Sequence, residues 1–598
     1  MNTQFIKIGI VFFALGLTAP LQGNIKKLER WKIKSVTFEN NRAYTDRRLC
    51  KIMVSRPPSL FNSTVYRKEI FEEDMKNIVL FYHQNGYLEA RVVDSRVEGD
   101  SSRNEVRLIV ALEEGELTRI EGLGVFGNRA FDDTRLFEHI KIKAGDPLNR
   151  IKVEKSLLDL LRFYADHGYL EADINPEIRI NSETHTAILD FMIREGQQFT
   201  VGNIILDGIE KTRPHVILRE LQFEKEDVLD YSRLFETQRR IYMTGLVQSV
   251  FVRPVSAEDG DSTKKDIRIE VKENPSIELN LSAGYGTVDR LRGKVEVFNK
   301  NFRGSARKVG FVTTMSFIRR SAEASFTEPW TFGTPWRTDM TLGMEYKEEP
   351  GYHLSQIGGR LTVGRSFFQR SNIMIRFRSQ KGKLSEISVD EIPDDVKTDI
   401  RSMELAIIHD SRDNLFNATR GVYTELSGEL GGSFSDRVHG FIRLISKCKY
   451  FYSISSSTVI ASGIEIGWME AQGGLPQIPL SERFYAGGPN SVRGFEYQKL
   501  GPVDEERTPL GGRFKLVWNM IEIRKGIYKM LDGAIFLDMG NVWSAPEAFR
   551  FREVRFSPGV GLRLNTPVGV GRIDLGMNVD QRPGEPRFLW LFSMGQAF

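Results

Sequence analysis

From residue 275 onward this chain is written in steps of two. Ile277-Glu-Leu279-Asn-Leu281-Ser-Ala283-Gly-Tyr285, Val422-Tyr-Thr-Glu-Leu426-Ser-Gly-Glu-Leu430 and Ala534-Ile-Phe536-Leu-Asp538-Met set one residue type on every second position, and glycine is frequent between them. That is the side-chain period of a β-strand, and no helical stripe of useful length interrupts it. The alternation is clearest at the end. Phe588, Trp590, Phe592, Met594 and Phe598 share one face, and Leu589, Leu591, Ser593, Gly595 and Ala597 share the other. The bulky set suits lipid and the smaller set suits an interior. Chain termini are usually frayed and polar. A barrel closed within a membrane instead needs its last strand to pair with its first, because no open edge is tolerated in lipid.

Residues 275–598 therefore read as a transmembrane antiparallel β-barrel. Membrane strands of about 9–11 residues, with their connections, take roughly 20 residues each, which gives about 16 strands. Six of the 7 tryptophans (Trp330, Trp336, Trp468, Trp518, Trp543 and Trp590) fall in this half, as aromatic girdles require. No stretch after the leader approaches 18 apolar residues, so no transmembrane helix is expected. A net charge of +4 without a basic stripe argues against nucleic acid as a partner.

The N-terminal part repeats itself with a period of about 80 residues. Tyr82-His-Gln-Asn-Gly86-Tyr87-Leu88-Glu89-Ala90 returns as Tyr164-Ala-Asp-His-Gly168-Tyr169-Leu170-Glu171-Ala172, and more weakly as Tyr242-Met-Thr-Gly245-Leu246-Val247. The repeats span 31–115, 116–197 and 198–274 in a β-α-α-β-β order. In the second, Val153, Leu157, Leu158, Leu160, Leu161 and Tyr164 mark one helix face. Gly86 and Gly168 end their helices. Each unit is an α+β module with helices on one face of a three-stranded sheet. Its outer strand is open to addition of an extended peptide, and a plain spacer is the alternative. Ahead of the repeats, Lys7, the apolar run from Ile8 to Leu17 and the small residues to Gly23 read as an export signal over 1–23. The 2 cysteines, Cys50 and Cys448, are expected to be free thiols in different domains.

These features carry a resemblance. Gly487-Gly488-Pro489-Asn490-Ser491-Val492-Arg493-Gly494-Phe495 matches the sixth-outer-loop motif of the BamA/TamA superfamily of outer-membrane insertases. His409-Asp410-Ser411-Arg412-Asp413-Asn414, Asn299-Lys-Asn301-Phe302-Arg-Gly304 and Phe536-Leu-Asp538-Met-Gly540-Asn541-Val542-Trp543 resemble other motifs of that family. Periplasmic POTRA repeats and a 16-stranded barrel are the fold the resemblance implies. Three repeats and Glu328-Pro329-Trp330 place the chain nearer the TamA-like branch.

The implied function is insertion and folding of client barrel or autotransporter proteins in the bacterial outer membrane. Unfolded clients, lipid and periplasmic or inner-membrane accessory proteins would be the partners. The resemblance assigns Arg493, with Gly488, Val492, Gly494 and Phe495 around it, to a loop folded into the lumen, and Glu522 and Asp538 as its carboxylate partners. A planar guanidinium binds carboxylates as a fork, which lysine does not. Arg493→Ala is expected to impair assembly, and Asp538→Arg to restore it in part. A lateral seam is expected between Leu279, Leu281, Gly284 and Gly286 at the start of the barrel and Phe592, Met594, Gly595 and Phe598 at its end. Glycine weakens strand packing there. No P-loop, His-Glu-x-x-His or Cys pair occurs, so no catalytic residue, metal or cofactor is expected. The alternatives are a two-partner-secretion-type exporter and a passive pore.

Overall fold

A computed structural model of the chain describes residues 31–57, 65–100, 102–258, 260–368, 370–389, 396–432, 440–455, 457–471, 478–566 and 569–594. The leader over 1–23 and the seam residues Gly595 and Phe598 lie outside them.

Three modules come first. One comprises β1 (Lys32–Glu39), α1 (Asp46–Leu49), α2 (Lys68–Gln84), β2 (Arg91–Asp100) and β3 (Glu105–Glu113). The next comprises β4 (Arg119–Phe126), α3 (Asp133–Phe137), α4 (Arg150–Asp166), β5 (Asp173–Asn181) and β6 (Thr186–Arg194). The third comprises β7 (Thr200–Asp207), α5 (Pro214–Leu218), α6 (Tyr231–Met243), β8 (Val247–Ser256) and β9 (Lys264–Glu273). In each sheet the last strand lies in the middle, between the first and the second. Gly86 (φ +97°) and Gly168 (φ +91°) follow the long helices in the left-handed conformation of a C′ residue.

The repeated tyrosine has a structural job. Tyr82 and Tyr164 are fully buried, and their hydroxyls donate to Glu114 Oε1 at 2.7 Å and Glu195 Oε1 at 3.0 Å. The same carboxylates accept the backbone N–H groups of Ala43 and of Arg129 and Ala130. Burial, and then the bond to glutamate, holds both phenols far above their ordinary range. Glu273 does the equivalent work in the third module, accepting from the N–H groups of Glu210, Lys211 and Thr212. The tyrosine match in that module is off by one position. Ile241 is the buried residue, whereas Tyr242 is 56% exposed, because one residue further turns a side chain about 100° around the helix. Leu158 also departs from the expected face of α4. It is 59% exposed, and Ser156 and Phe163 complete the buried stripe in its place.

The barrel sheet has 16 strands in sequence order. They are β10 (Ile277–Gly286), β11 (Arg290–Phe302), β12 (Arg307–Ser316), β13 (Arg319–Glu328), β14 (Arg337–Glu349), β15 (Tyr352–Phe368), β16 (Ser371–Ser385) and β17 (Val396–Asp410). There follow β18 (Gly421–Gly431), β19 (Phe441–Ser455), β20 (Thr458–Ala471), β21 (Phe514–Tyr528), β22 (Leu531–Trp543), β23 (Arg555–Thr566), β24 (Gly569–Met577) and β25 (Phe588–Met594). Exposed Phe311, Leu342, Ile357, Ile535 and Val560 belong to the outward set, as period two requires. On β25, Phe588, Trp590, Phe592 and Met594 are exposed while Leu591 is 2% exposed, so the bulky face does point outward. The girdle reading fails for Trp543. It is buried, with its indole N–H donating to Glu553 at 2.8 Å and Phe549 packed on its ring. Trp330 likewise lies under the Arg219 guanidinium, 5.2 Å from its centroid.

Residues 204–222, 234–255 and 267–598 form one compact unit, so part of the third module is continuous with the barrel. The 299–304 motif makes that junction. Asn301 is buried and donates to Thr212 Oγ1 at 2.8 Å, and Arg213 N donates to the Gly304 carbonyl at 2.9 Å. Gly304 sits at φ +72°, and a Cβ there would collide with the Lys211 carbonyl.

Candidate functional site

The connection between β20 and β21 is long, and its motif lies inside the barrel wall. Gly487 and Gly488 take φ +101° and +98°, which only glycine adopts without strain, and turn the chain inward. Val492 and Phe495 then pack with Phe484, Ala486, Val517 and Val542. Gly494 runs so close to β23 that a Cβ would strike Ser557. The wall is hollowed to match: a Cβ at Gly576 would lie 2.5 Å from the Arg493 carbonyl oxygen.

Arg493 is fully buried. Its Nε and Nη2 donate to Asp538 Oδ2 and Oδ1 at 2.7 and 2.8 Å, a fork on one carboxylate, and its backbone N donates to Oδ2 at 3.2 Å. Nη1 donates to Glu522 Oε2 and lies 3.7 Å from Asp574 Oδ2. The guanidinium stacks 3.3 Å from the centroid of the Phe536 ring. Glu522 is held from behind by Arg524 at 2.7 Å and Arg563 at 3.3 Å. Asp574 is held by Arg563 at 2.6 Å and Arg572 at 3.1 Å. Arg572 also donates to the loop itself, at Pro489 O (2.7 Å) and Asn490 Oδ1 (2.8 Å). Four arginines thus face three carboxylates, none more than 4% exposed. Such a cluster adds little net stability over apolar packing, but breaking it is costly, so it fixes where the loop sits.

A β-bulge lets β21 contribute twice. The register shifts between Asn519 and Ile521, so Asn519 and Glu522, three residues apart, both face inward. Asn519 Nδ2 ties the two partners together, donating to Asp538 Oδ1 at 2.9 Å and Ser491 O at 2.8 Å.

The sheet ends meet unevenly. β10 is laddered to β11 from Ile277↔Asn299 to Gly286↔Arg290. Toward β25, the hydrogen bonds among the described residues gather at one pair. Thr287 N donates to Phe592 O at 3.0 Å, and Phe592 N donates to Thr287 Oγ1 at 2.7 Å. A Cβ on Gly284 would lie 3.6 Å from Met594 Sδ, and one on Gly286 would lie 3.4 Å from Phe592 O. Leu279 and Leu281 are outward and exposed, and no described part of β25 pairs with them. A cavity of about 400 Å³ lies behind the seam, lined by Gly284, Gly286, Phe592 and Met594 on one side and by Asn490 and Ser491 of the inward loop on the other. Loop and seam therefore share one space.

Residues 301–598 match the Omp85 superfamily domain, and 31–115, 118–196 and 199–274 each match the POTRA model, described as a surface antigen variable number repeat. The chain belongs to the Omp85 superfamily. Among curated relatives of this Omp85 chain is the outer membrane protein assembly factor BamA of Nitratidesulfovibrio vulgaris, 24% identical over 97% of this chain and 75% of the relative. BamA of Neisseria meningitidis serogroup B is 23% identical over 95% and 78%. The crystal structure of BamA from Haemophilus ducreyi lacking POTRA domains 1–3 superimposes with a TM-score of 0.67 at 18% identity, covering 80% of this chain and 99% of that one. That agreement shows the fold.

The structure brings Arg493, Glu522 and Asp538 together. It adds Asn519, Arg524, Arg563, Arg572 and Asp574, which sequence reading did not select. The visible trace of the last three was alternation in Gly561-Leu-Arg563-Leu and Gly571-Arg572-Ile-Asp574-Leu, where charges recur on the inward positions.

Proposed function

We propose that this chain is an outer-membrane protein assembly factor, with its modules in the periplasm, which inserts and folds client β-barrel or autotransporter proteins through the seam between β10 and β25. The observation that carries this reading is the seam, where among the described residues the hydrogen bonds between the two sheet ends gather at Thr287 and Phe592 while the other neighbour pairs are laddered. Parting it frees the β10 N–H and C=O groups as a template for a client strand. Burial of the client's apolar face, at about 25 cal/mol per Å², drives insertion without a nucleotide. The relatives' name, outer membrane protein assembly factor, supports the same reading. So does the loop packed into the lumen, which obstructs a passive pore. Unfolded clients and lipid are the partners, with accessory proteins in the periplasm or inner membrane. Three modules support a place toward the TamA-like branch.

A disulfide across the seam tests this. In a background with Cys50→Ser and Cys448→Ser, Gly284→Cys with Met594→Cys should join β10 to β25. The oxidised protein should stay folded and stop inserting clients into vesicles, and reduction should restore insertion. Full insertion by the cross-linked protein would refute lateral opening.

A further inference from the structure

The lumen loop is gripped at a second place, and there the charges are reversed. Glu482 precedes Arg493 in the same loop and is 6% exposed. Arg378 on β16 takes its carboxylate as a fork, Nη1 to Oε1 at 2.9 Å and Nη2 to Oε2 at 3.0 Å. Arg443 on β19 reaches Oε2 at 3.0 Å and donates to the Glu482 carbonyl at 3.2 Å. Glu429 on β18 joins the two arginines from behind, accepting from Arg378 Nη2 at 2.7 Å and Arg443 Nε at 2.9 Å. Ser402 on β17 accepts from Arg378 Nε at 3.1 Å. The neighbouring Leu480 is buried against Tyr352, Leu354, Leu384 and Val389. Two arginines and two glutamates alternate around a closed, charge-balanced box.

We propose that Glu482 is a positioning residue for Arg493. The box on the β16–β19 wall and the cluster on the β21–β24 wall fix two points of one loop, and the stretch between them packs through Phe484, Ala486 and Val492 on Met469, Val517 and Val542. A segment held at one end keeps most of its conformational entropy, and the second grip removes that freedom before Arg493 docks. The two grips are coupled, so releasing either weakens the other. Only the consequence for client assembly rests on the assembly reading. The position of the loop does not.

A nitroxide on Glu496→Cys, in the background free of native cysteines, reports loop motion beside Phe495. Wild type should give an immobile spectrum. Glu482→Gln should give a mobile component, as should Arg493→Ala, and the double variant should show no more than the larger single effect. Loss of one charge-assisted grip should cut the seated population, and client assembly with it, by about tenfold or more. Glu482→Gln with Arg443→Gln keeps the remaining Arg378–Glu429 pair balanced. It should recover thermal stability of the barrel and leave the label mobile, which separates positioning from folding. An immobile label in both Glu482 variants would overturn the proposal, as would effects of Glu482→Gln and Arg493→Ala that multiply. A mobile label with an unchanged assembly rate would leave the double grip standing and count against the assembly reading.

Discussion

Removing Arg493 should cost most at Asp538. Glu522 keeps Arg524 and Arg563, and Asp574 keeps Arg563 and Arg572. Asp538 loses the guanidinium fork and retains two neutral donors, the Asn519 amide at 2.9 Å and the backbone N–H of residue 493 at 3.2 Å. An uncompensated charge buried in this way costs about 3–5 kcal/mol. Arg493→Ala should therefore destabilise the seated loop and folded barrel by that amount, and Arg493→Lys by less, since lysine keeps the charge without the fork. Charge also decides the rescue. With Arg493 gone, Asp538→Arg would place four arginines against two carboxylates, so the restoration expected of it in the sequence reading should not occur. Arg493→Ala with Asp538→Asn instead returns the cluster to the native excess of one positive charge and should recover roughly half the loss. Urea unfolding in lipid vesicles, followed by heat-modifiable gel mobility, measures both. A loss below about 1 kcal/mol for Arg493→Ala, or a better rescue by Asp538→Arg than by Asp538→Asn, would refute the reasoning.

Two further outcomes concern the junction of the third module with the barrel. Gly304→Ala places a Cβ against the Lys211 carbonyl in a left-handed turn, and should destabilise the junction by more than about 1 kcal/mol, read as faster protease cleavage between module and barrel. For Glu273, burial raises the carboxyl pKa, but the N–H groups and hydroxyl around Thr212 and the N–H groups of Lys211 and Glu210 lower it further, so the net shift is downward. A depressed folded-state pKa gives stability that is present above the unfolded value of about 4.3 and lost as pH falls below it. Protease resistance at the junction should fall below that pH, and Glu273→Gln should flatten the dependence.

Parts of the fold were legible because local patterns report local physics. The period of two in Ile277–Tyr285 and in the 588–594 run fixes which side chains face out, and a helix followed by Gly86 or Gly168 fixes where each module turns. The same patterns misplaced Tyr242 and Leu158, since a match one residue out of phase reads almost as well as the true one until packing chooses. Trp543 read as a girdle residue because nothing in its own strand reveals that residues 545–554 fold over it.

The functional residues divide in the same way. Arg493 is visible from its glycine-flanked loop, and Asp538 from its place among apolar alternates. Glu482, Glu429, Arg378 and Arg443 are scattered over four segments, each an ordinary charge on an ordinary strand or loop. Glu522 is further disguised, because strict alternation would set it on the face opposite Asn519 until the bulge turns it inward.

By itself the chain of letters determined that modules precede a lipid-facing cylinder and which loop carries a guanidinium. Those properties depend on hydration and on backbone period, which act between near neighbours. Only the closed fold decided that this loop is held by two charge clusters, one on β16–β19 and one on β21–β24, behind a seam pinned at Thr287 and Phe592. Burial of ions and the meeting of the first strand with the last are contacts between residues far apart in sequence, and no local rule encodes them.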